Sequence, residues 1–327
     1  MKVLITGAGG FIGSHLVDSQ LEQGNDVRGV DLHLDLLRHQ VAQPRLEAIC
    51  GDVTDKNLLP KLVEGIDFIY HLASAHLDVS LSDEHYRLVN VDATVALLEA
   101  AKKAGVERFV HCSSVGVIGD VKHPPADETT KCHPANIYER TKLEGERAAL
   151  DFARRTGFPV VVIRPAWVYG PRCPRTAKLL RTISKGRFPI FGRGKNMRHP
   201  VYIADAIRGF ELCAETPDIE GEVFIIAGAL PVESRQLVNM ISQQLNVRTQ
   251  SIFLPIFLGQ AAGLALELTF GLAGQQPPFS RRSMDFFVKN NAYSIYKAQS
   301  RLSYQPQVDL STGIQKTIQS IRDCQTE

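Results

Sequence analysis

Lys2-Val-Leu-Ile-Thr-Gly-Ala-Gly-Gly-Phe-Ile-Gly-Ser-His15 opens the chain and reads as strand, glycine loop and helix start. Lys2–Thr6 is a short apolar run of the kind buried on both faces of a parallel sheet. A loop this rich in glycine lets backbone N–H groups and the start of the next helix approach an anion, which the helix dipole favours. The spacing separates two frames. G-x-G-x-x-G from Gly7 would need glycine at position 12, which is Ile12, whereas G-x-x-G-x-x-G fits as Gly7, Gly10 and Gly13. A glycine loop alone also builds an ordinary tight turn between strand and helix. Here Asp31 closes the second strand-like run 18 residues past Gly13, where a carboxylate can accept from a ribose 2′-hydroxyl. Together these features predict a dinucleotide site that includes Gly7, Gly10, Phe11, Ile12, Gly13 and Asp31. The charge of Asp31 repels a 2′-phosphate, so NAD is expected over NADP. Arg28 and Arg38 are the residues that could reverse this by meeting that phosphate.

Outward from the loop, strand-like and helix-like stretches alternate, the signature of a parallel sheet covered on both faces. Strands are expected at Lys2–Thr6, Asp26–Val30, Leu46–Cys50, Phe68–His71, Arg108–Cys112 and Val160–Arg164. Helices are expected at Phe11–Gln23, Leu58–Glu64, Tyr86–Ala104 and Ala135–Arg155, the last two ending at Gly105 and Gly157 as C-cap glycines. After Pro165 the rhythm loosens, with Pro171, Pro174, Pro189 and Pro200, then a helix near Ile203–Glu215 and a strand near Val223–Ile226. The predicted class is α/β: a Rossmann doubly wound parallel sheet over 1–165, then a smaller C-terminal substrate-binding lobe over 166–327, part of which returns to the sheet.

Bulk properties narrow the function by exclusion. A formal charge of +2 in 327 residues gives no reason to expect nucleic acid as a partner. The six cysteines are scattered, with no C-x-x-C and no metal-ligand spacing, so no metal is expected and the thiols read as free in a reducing, cytoplasmic setting. The apolar stretch Ile252–Gly274 carries one charge, Glu267, and is interrupted by Pro255 and Gln260. A buried or substrate-covering helix is the first expectation for it, with peripheral membrane contact as the alternative.

Further along, Asp52-Val53 follows the third strand, where an aspartate can bond an adenine amino group with the valine against the ring; the same aspartate can cap a helix. Leu72-Ala73-Ser74 follows the fourth strand with small side chains that let backbone pass close to a cofactor. Tyr138 and Lys142 lie one turn apart on one face of the helix expected after Pro134. A phenol with a pKa of roughly 10 is a poor acid-base group until a nearby cation stabilises the phenolate. Tyr-x-x-x-Lys alone is common on helix surfaces. Ser113-Ser114, at the end of the fifth strand and on the same sheet edge as the glycine loop, makes the pair a candidate site.

These segments, with Asn90-Val-Asp-Ala-Thr94, Arg164-Pro-Ala-Trp-Val-Tyr-Gly-Pro171 and Val201-Tyr-Ile-Ala-Asp205, resemble the extended short-chain dehydrogenase/reductases over nearly the whole chain. The resemblance implies an NAD(P)-dependent oxidoreductase in which Ser114, Tyr138 and Lys142 are catalytic. It also implies that Asn90, Ser113 and Pro165 join the cofactor residues, and that a homodimer forms through the helices near 86–104 and 135–155. One departure is Ile118-Gly119, where family members often have Tyr-Gly.

Gly192-Arg-Gly-Lys-Asn-Met-Arg198, the apolar stretch and Pro277-Pro-Phe-Ser-Arg-Arg282 are similar to the 3β-hydroxysteroid dehydrogenase-like branch. The expected substrate is a small hydrophobic molecule, steroid-like or a β-hydroxy/β-keto lipid, with its body against apolar side chains. A nucleotide-sugar epimerase, dehydratase or reductase is the rival, with Arg198 as a phosphate ligand assisted by Arg172, Arg175 and Arg193. A non-catalytic NAD(P)-sensing protein is the alternative of another class. His76, Trp167 and His199 are further candidates for substrate contact, the first against a partly exposed loop histidine and the second against a residue packed between the lobes.

Overall fold

The computed structural model describes residues 1–40, 42–76, 81–248, 250–272 and 281–326. Seven parallel strands form the central sheet: β1 (Lys2–Thr6), β2 (Asp26–Asp31), β3 (Leu46–Cys50), β4 (Phe68–His71), β5 (Arg108–Cys112), β6 (Val160–Pro165) and β7 (Val223–Ile226). Their order is β7-β6-β5-β4-β1-β2-β3. The principal helices are α1 (Phe11–Glu22), α2 (Ala93–Ala104), α3 (Ile137–Thr156), α4 (Ile203–Glu215) and α5 (Ile256–Leu272). This is the doubly wound Rossmann architecture. Because β1 pairs with both β2 and β4, the order reverses at β1, and the carboxyl ends of β1 and β4 flank the crevice where such sheets bind ligands.

The strand period of two decides which core each side chain joins. Val3 and Ile5 pack with Leu16, Val17 and Phe210 of α1 and α4. Leu4 faces the other way, with Leu97 and Leu98 of α2 and Phe152 of α3. Both faces are therefore apolar, and the strands carry continuous hydrophobic runs.

Gly105 and Gly157 end α2 and α3 in the left-handed conformation at φ of 77° and 69°, as expected of C-cap glycines. The stretch expected as one helix over Tyr86–Ala104 is three pieces: Asp83–Arg87, a π-turn at Leu88–Asp92, and α2. An inserted residue leaves no periodic mark in the sequence, and such bulges gather at functional sites. The start of α3 also differs from the expectation of opening after Pro134. Asn136 is the cap, its side chain accepting from the Glu139 N–H at 3.0 Å while the Glu139 carboxylate accepts from the Ala135 N–H at 2.7 Å.

Beyond β6 the chain builds small parallel pairs, Trp167–Tyr169 with Pro200–Tyr202 and Arg187–Phe191 with Gln250–Leu254, before and after β7 joins the main sheet. The apolar stretch becomes the end of a strand and then α5. Of the expectation of a buried or substrate-covering helix, the buried half is corrected: most of α5 is exposed, and Gly259 packs it onto Met284 and Phe191. Residues 273–274 and 277–280 of the quoted motifs lie outside the described residues. No helix among the described residues is long and apolar enough to cross a membrane.

The contact that locks α3 to the sheet edge is backbone against backbone. A Cβ on Gly145 would run into the Asn90 carbonyl oxygen of the π-turn. Gly145→Ala gains helix propensity but overpacks this seam, and overpacking costs about 1–3 kcal/mol. The variant should melt below the wild type in a thermal scan; an equal or higher Tm would contradict the close packing.

Candidate active site

At the glycine loop, three positions exclude a side chain. Gly7 has φ of +72°, and a Cβ there would lie 2.8 Å from the Leu72–Ala73 backbone. On Gly9 it would run into the His33 carbonyl, and on Gly13 into that of Gly7. Gly9 fell outside the sequence frame because its constraint comes from the far end of β2. Gly10 caps α1 without a side chain, and the first turn has no acidic residue. The N–H groups of Phe11, Ile12 and Gly13 thus have neither a capping side chain nor a helical acceptor. They present the concave donor array that a pyrophosphate needs.

Asp31 does more than the sequence suggested. Its Oδ2 accepts from the Gly9 N–H at 3.0 Å and its Oδ1 from the His33 N–H at 3.2 Å, so it fixes the loop while keeping acceptor capacity at the crevice. Arg28 is removed as a phosphate ligand. It is buried, bonding Glu47 at 2.8 Å and the carbonyls of Lys61, Leu62 and Glu64 at 2.7–3.0 Å. Arg38 is exposed and paired with Asp35 at 2.5 Å. The arrangement favours an unphosphorylated ribose.

Asp52 closes a turn by accepting from the Thr54 N–H at 2.8 Å, and Val53 is buried in the core with Leu4 and Val30. The turn-capping role is the one the geometry displays, and Val53 packs inward. Leu72 donates its N–H to the Thr6 carbonyl at 3.1 Å and Ala73 to the Thr6 hydroxyl at 3.2 Å, drawing this loop against Gly7. Pro165 ends β6, buried against Ile226 of β7.

Beneath the crevice lies a buried network that ties four elements together. His71 Nδ1 lies 2.7 Å from the Thr6 hydroxyl and Nε2 3.0 Å from the Thr94 hydroxyl. Thr94 donates to the Asn90 carbonyl at 3.1 Å and must accept from His71, so the network assigns the neutral ring with its proton on Nε2. Asn90 is fully engaged: Oδ1 accepts from Ser74 and Ala75 at 3.0 and 2.9 Å, and Nδ2 donates to the Ala75 carbonyl and the Thr141 hydroxyl at 3.2 and 2.9 Å. It clips the loop after β4 to α3, beside Lys142, and is a positioning residue in this geometry.

Lys142 is 3% exposed, and its ammonium donates to the Cys112 carbonyl at 2.5 Å. Burial pushes its pKa below the usual lysine range, opposed by Cys112 and Glu146. Ser114 follows Cys112 by two residues and is half-buried, its hydroxyl accepting from the Gly116 N–H at 3.0 Å. That oxygen and the Glu139 side chain flank the α-carbon of Gly116. The end of β5 and the first turns of α3 therefore bring Ser114, Tyr138 and Lys142 to one edge. Tyr138 is half-buried, with the His76 ring packed edge-on at 4.6 Å. His76 in turn meets Arg175 at 3.1 Å.

Ser113 is used internally. Its hydroxyl donates to Glu146 at 2.7 Å, and Glu146 forms a buried pair with Arg164 at 2.5 Å. Neither Glu146 nor its pairing was legible, because the three residues meet only when α3 covers β5 and β6. Ile118, the departure from the family's Tyr-Gly, is a core side chain.

Of the substrate candidates, Trp167 packs edge-on to Phe286 at 6.2 Å, and the Arg198 guanidinium sits between those rings at 5.9 and 5.0 Å. Its Nε is buried without a hydrogen-bond partner. His199 is a structural residue: Nε2 bonds the Gly228 carbonyl at 2.9 Å, Nδ1 accepts from the Tyr293 N–H at 3.2 Å, and burial pulls its pKa down to about 4. Arg172 is held by Asp18 at 2.7 Å, and Arg193 is exposed. No group of three or more metal-capable side chains occurs among the described residues.

The crevice, the glycine cradle and the Ser-Tyr-Lys edge define a Rossmann-fold nicotinamide enzyme that works on CH–OH groups. The NAD dependent epimerase/dehydratase family profile matches residues 3–227, and the chain belongs to that family, among the extended short-chain dehydrogenase/reductases. It is 26% identical to the mouse (Mus musculus) "Sterol-4-alpha-carboxylate 3-dehydrogenase, decarboxylating" over 98% of this chain and 90% of that one. It is 30% identical to the "3 beta-hydroxysteroid dehydrogenase/Delta 5-->4-isomerase" of Mycobacterium tuberculosis, over 93% of this chain and 86% of that one. The fold matches the crystal structure of UDP-glucuronic acid 4-epimerase from Bacillus cereus in complex with NAD. The TM-score is 0.82 and the identity 28%, over 99% of this chain and 97% of that one. The cofactor is NAD.

Two buried rings make stability fall in acid. Burial lowers the pKa of His71 to about 3 and that of His111 well below the ordinary value, with the Lys142 charge adding to both. The unfolded chain binds these protons first, so the stability contributed by the neutral rings is complete above about pH 6.5 and is lost as pH falls below it. His111 has no hydrogen-bond partner on either ring nitrogen. His111→Leu should therefore fold well at pH 7 and lower the slope of unfolding free energy against pH by about one proton near pH 5. An unchanged slope in urea titrations would contradict the assignment.

Proposed function

We propose that the chain interconverts a secondary alcohol and a ketone on a hydrophobic substrate, steroid-like or a β-hydroxy/β-keto lipid, with residues 166–327 mainly forming the lobe that holds it. In the oxidising direction the alcohol donates its hydrogen bond to the Tyr138 oxygen, and the phenolate takes the O–H proton as the carbonyl forms. A nicotinamide held at the glycine loop would supply the acceptor for the hydride that leaves the same carbon. Lys142 stabilises the phenolate, and the Ser114 hydroxyl, whose oxygen already accepts from Gly116, is free to donate to the substrate oxygen. Gly7, Gly10, Phe11, Ile12, Gly13, Asp31 and the Leu72–Ser74 loop hold the cofactor, and a homodimer forms through the helices near 86–104 and 135–155.

The observation that carries the substrate class is the aromatic cluster around Trp167 and Phe286, the two half-buried rings that hold the Arg198 guanidinium. Trp167 contacts Phe286, Phe286 contacts Phe287, and Phe287 contacts Phe188 and Phe191. Phe188, Phe191 and Phe287 are buried and back the half-buried Trp167 and Phe286, and an apolar body laid on those two rings is stabilised by roughly 25 cal/mol per Å² buried. The second reading, a nucleotide-sugar enzyme, is favoured by the unpartnered Nε of Arg198 and by the likeness to UDP-glucuronic acid 4-epimerase.

The test is a screen for NAD reduction with sterols, β-hydroxy acids and nucleotide sugars. Turnover should appear with an apolar alcohol, and Tyr138→Phe should keep NAD affinity while losing about 10²–10⁴-fold in rate. An unchanged rate would sink the mechanism. Thermal stabilisation by a UDP or dTDP sugar that Arg198→Ala abolishes would replace the first reading with the second. NAD binding without turnover on any alcohol would favour a sensing protein.

A further inference from the structure

Of the twelve exposed large hydrophobic side chains among the described residues, six lie between Phe253 and Leu268: Phe253, Ile256, Phe257, Leu258, Leu264 and Leu268. Monomeric proteins rarely gather so many in one place without a use. The helix that carries most of them is unusual in how much of its circumference is open. At about 100° per residue, the exposed positions from Ile256 to Thr269 sweep about 240°, and the closed sector holds Gly259, Gly263, Leu266 and Phe270. Gly259 is pressed onto Met284 and Phe191. Its one charge, Glu267, is neutralised by Arg281 at 2.7 Å.

The chain that carries this helix is basic. Lys185 and Arg248 precede the two strands that lead into it, and Arg193 and Lys195 follow Gly192, whose α-carbon borders Ile256. All four are exposed, and none has an ion-pair partner among the described residues. We propose that α5 and this basic fringe dock the protein on the surface of an anionic lipid bilayer, α5 lying in the plane of the interface. The occupant follows from the shape and the charge. A protein partner covers one stripe of a helix, whereas lipid can close around an arc of this width. Unpaired cations at the border of an apolar patch match a negatively charged leaflet, each adding about 1 kcal/mol near the surface. Among the described residues the helix is short for a span: 17 residues rise about 25 Å, against about 30 Å of hydrocarbon. The proposal is independent of the substrate, because binding to vesicles is read without turnover.

The experiment is co-sedimentation of the full chain with phosphatidylcholine vesicles, with and without about 30% phosphatidylglycerol, at low and high salt. Binding is expected to the anionic vesicles, at least tenfold weaker to the neutral ones, and reduced by salt. The double variant Phe257→Asp, Leu264→Asp should lose it while keeping the NAD affinity and Tm of the wild type, since both side chains are exposed. Replacing Arg193 and Lys195 by Gln should weaken binding without abolishing it. Absence of binding to any vesicle, or wild-type binding by the double aspartate variant, would overturn the proposal. Equal uptake by neutral vesicles would overturn the role of the cations. A concentration-dependent dimer in light scattering, lost in the double aspartate variant, would make α5 a contact between copies instead.

Discussion

An ammonium group buried against a peptide carbonyl is the constraint from which the rest of the site follows. Lys142 donates to the Cys112 carbonyl at the end of β5, with no carboxylate as its hydrogen-bond partner. Taking a charge out of water is costly, and a single carbonyl offsets only part of that cost. The surrounding polar groups hold the site in place, although both His111 ring nitrogens and Arg164 Nη1 stay without a partner. Glu146, one turn further along α3, supplies negative charge but is itself held by Arg164 and Ser113. Lys142 therefore keeps donor capacity that no protein acceptor claims. A lysine in that condition stabilises the next negative group to arrive, and in the proposed mechanism that group is the Tyr138 phenolate, one turn before it.

Precision at this edge comes from backbone contacts more than from side-chain reach. Gly7 against Leu72–Ala73, Gly13 against Gly7 and Gly145 against Asn90 are three places where the chain passes itself with no room for a Cβ. Around them the Thr6–His71–Thr94–Asn90 network joins β1, β4, the π-turn and α3 with hydrogen bonds whose donors and acceptors are each accounted for. Fully satisfied buried polar networks are rigid, and a missing partner is expensive in a low dielectric. Such rigidity suits hydride transfer, where a small misplacement of a catalytic oxygen is costly.

How much of this could be read from the chain depended on the range of the interaction. Strands β1 to β6 were legible because burial on both faces turns them into apolar runs, and Gly105 and Gly157 marked helix ends through a purely local need for φ > 0. The glycine frame and the Tyr138–Lys142 pair are likewise local. What escaped is decided by residues distant in sequence. Arg28, a candidate phosphate ligand by position, is consumed by the carbonyls of a neighbouring helix end. Ser113 is adjacent to the candidate catalytic Ser114 yet turns to Glu146, 33 positions away. His199 was itself a candidate contact beside Arg198, but both its nitrogens answer backbone groups of other elements. The open arc of α5 was hidden for another reason: composition reports how apolar a segment is, and only packing shows whether anything covers it.

The central claim is that Lys142 makes a proton carrier of Tyr138. It is tested most directly by titrating tyrosinate absorbance in the NAD complex of the wild type, Lys142→Met and Tyr138→Phe. The account predicts one tyrosine in the wild type that ionises well below about 10, the ordinary phenol value. That step should vanish in Tyr138→Phe and move up towards the ordinary value in Lys142→Met. A wild-type titration with no early step, or an early step that Lys142→Met leaves in place, would contradict it.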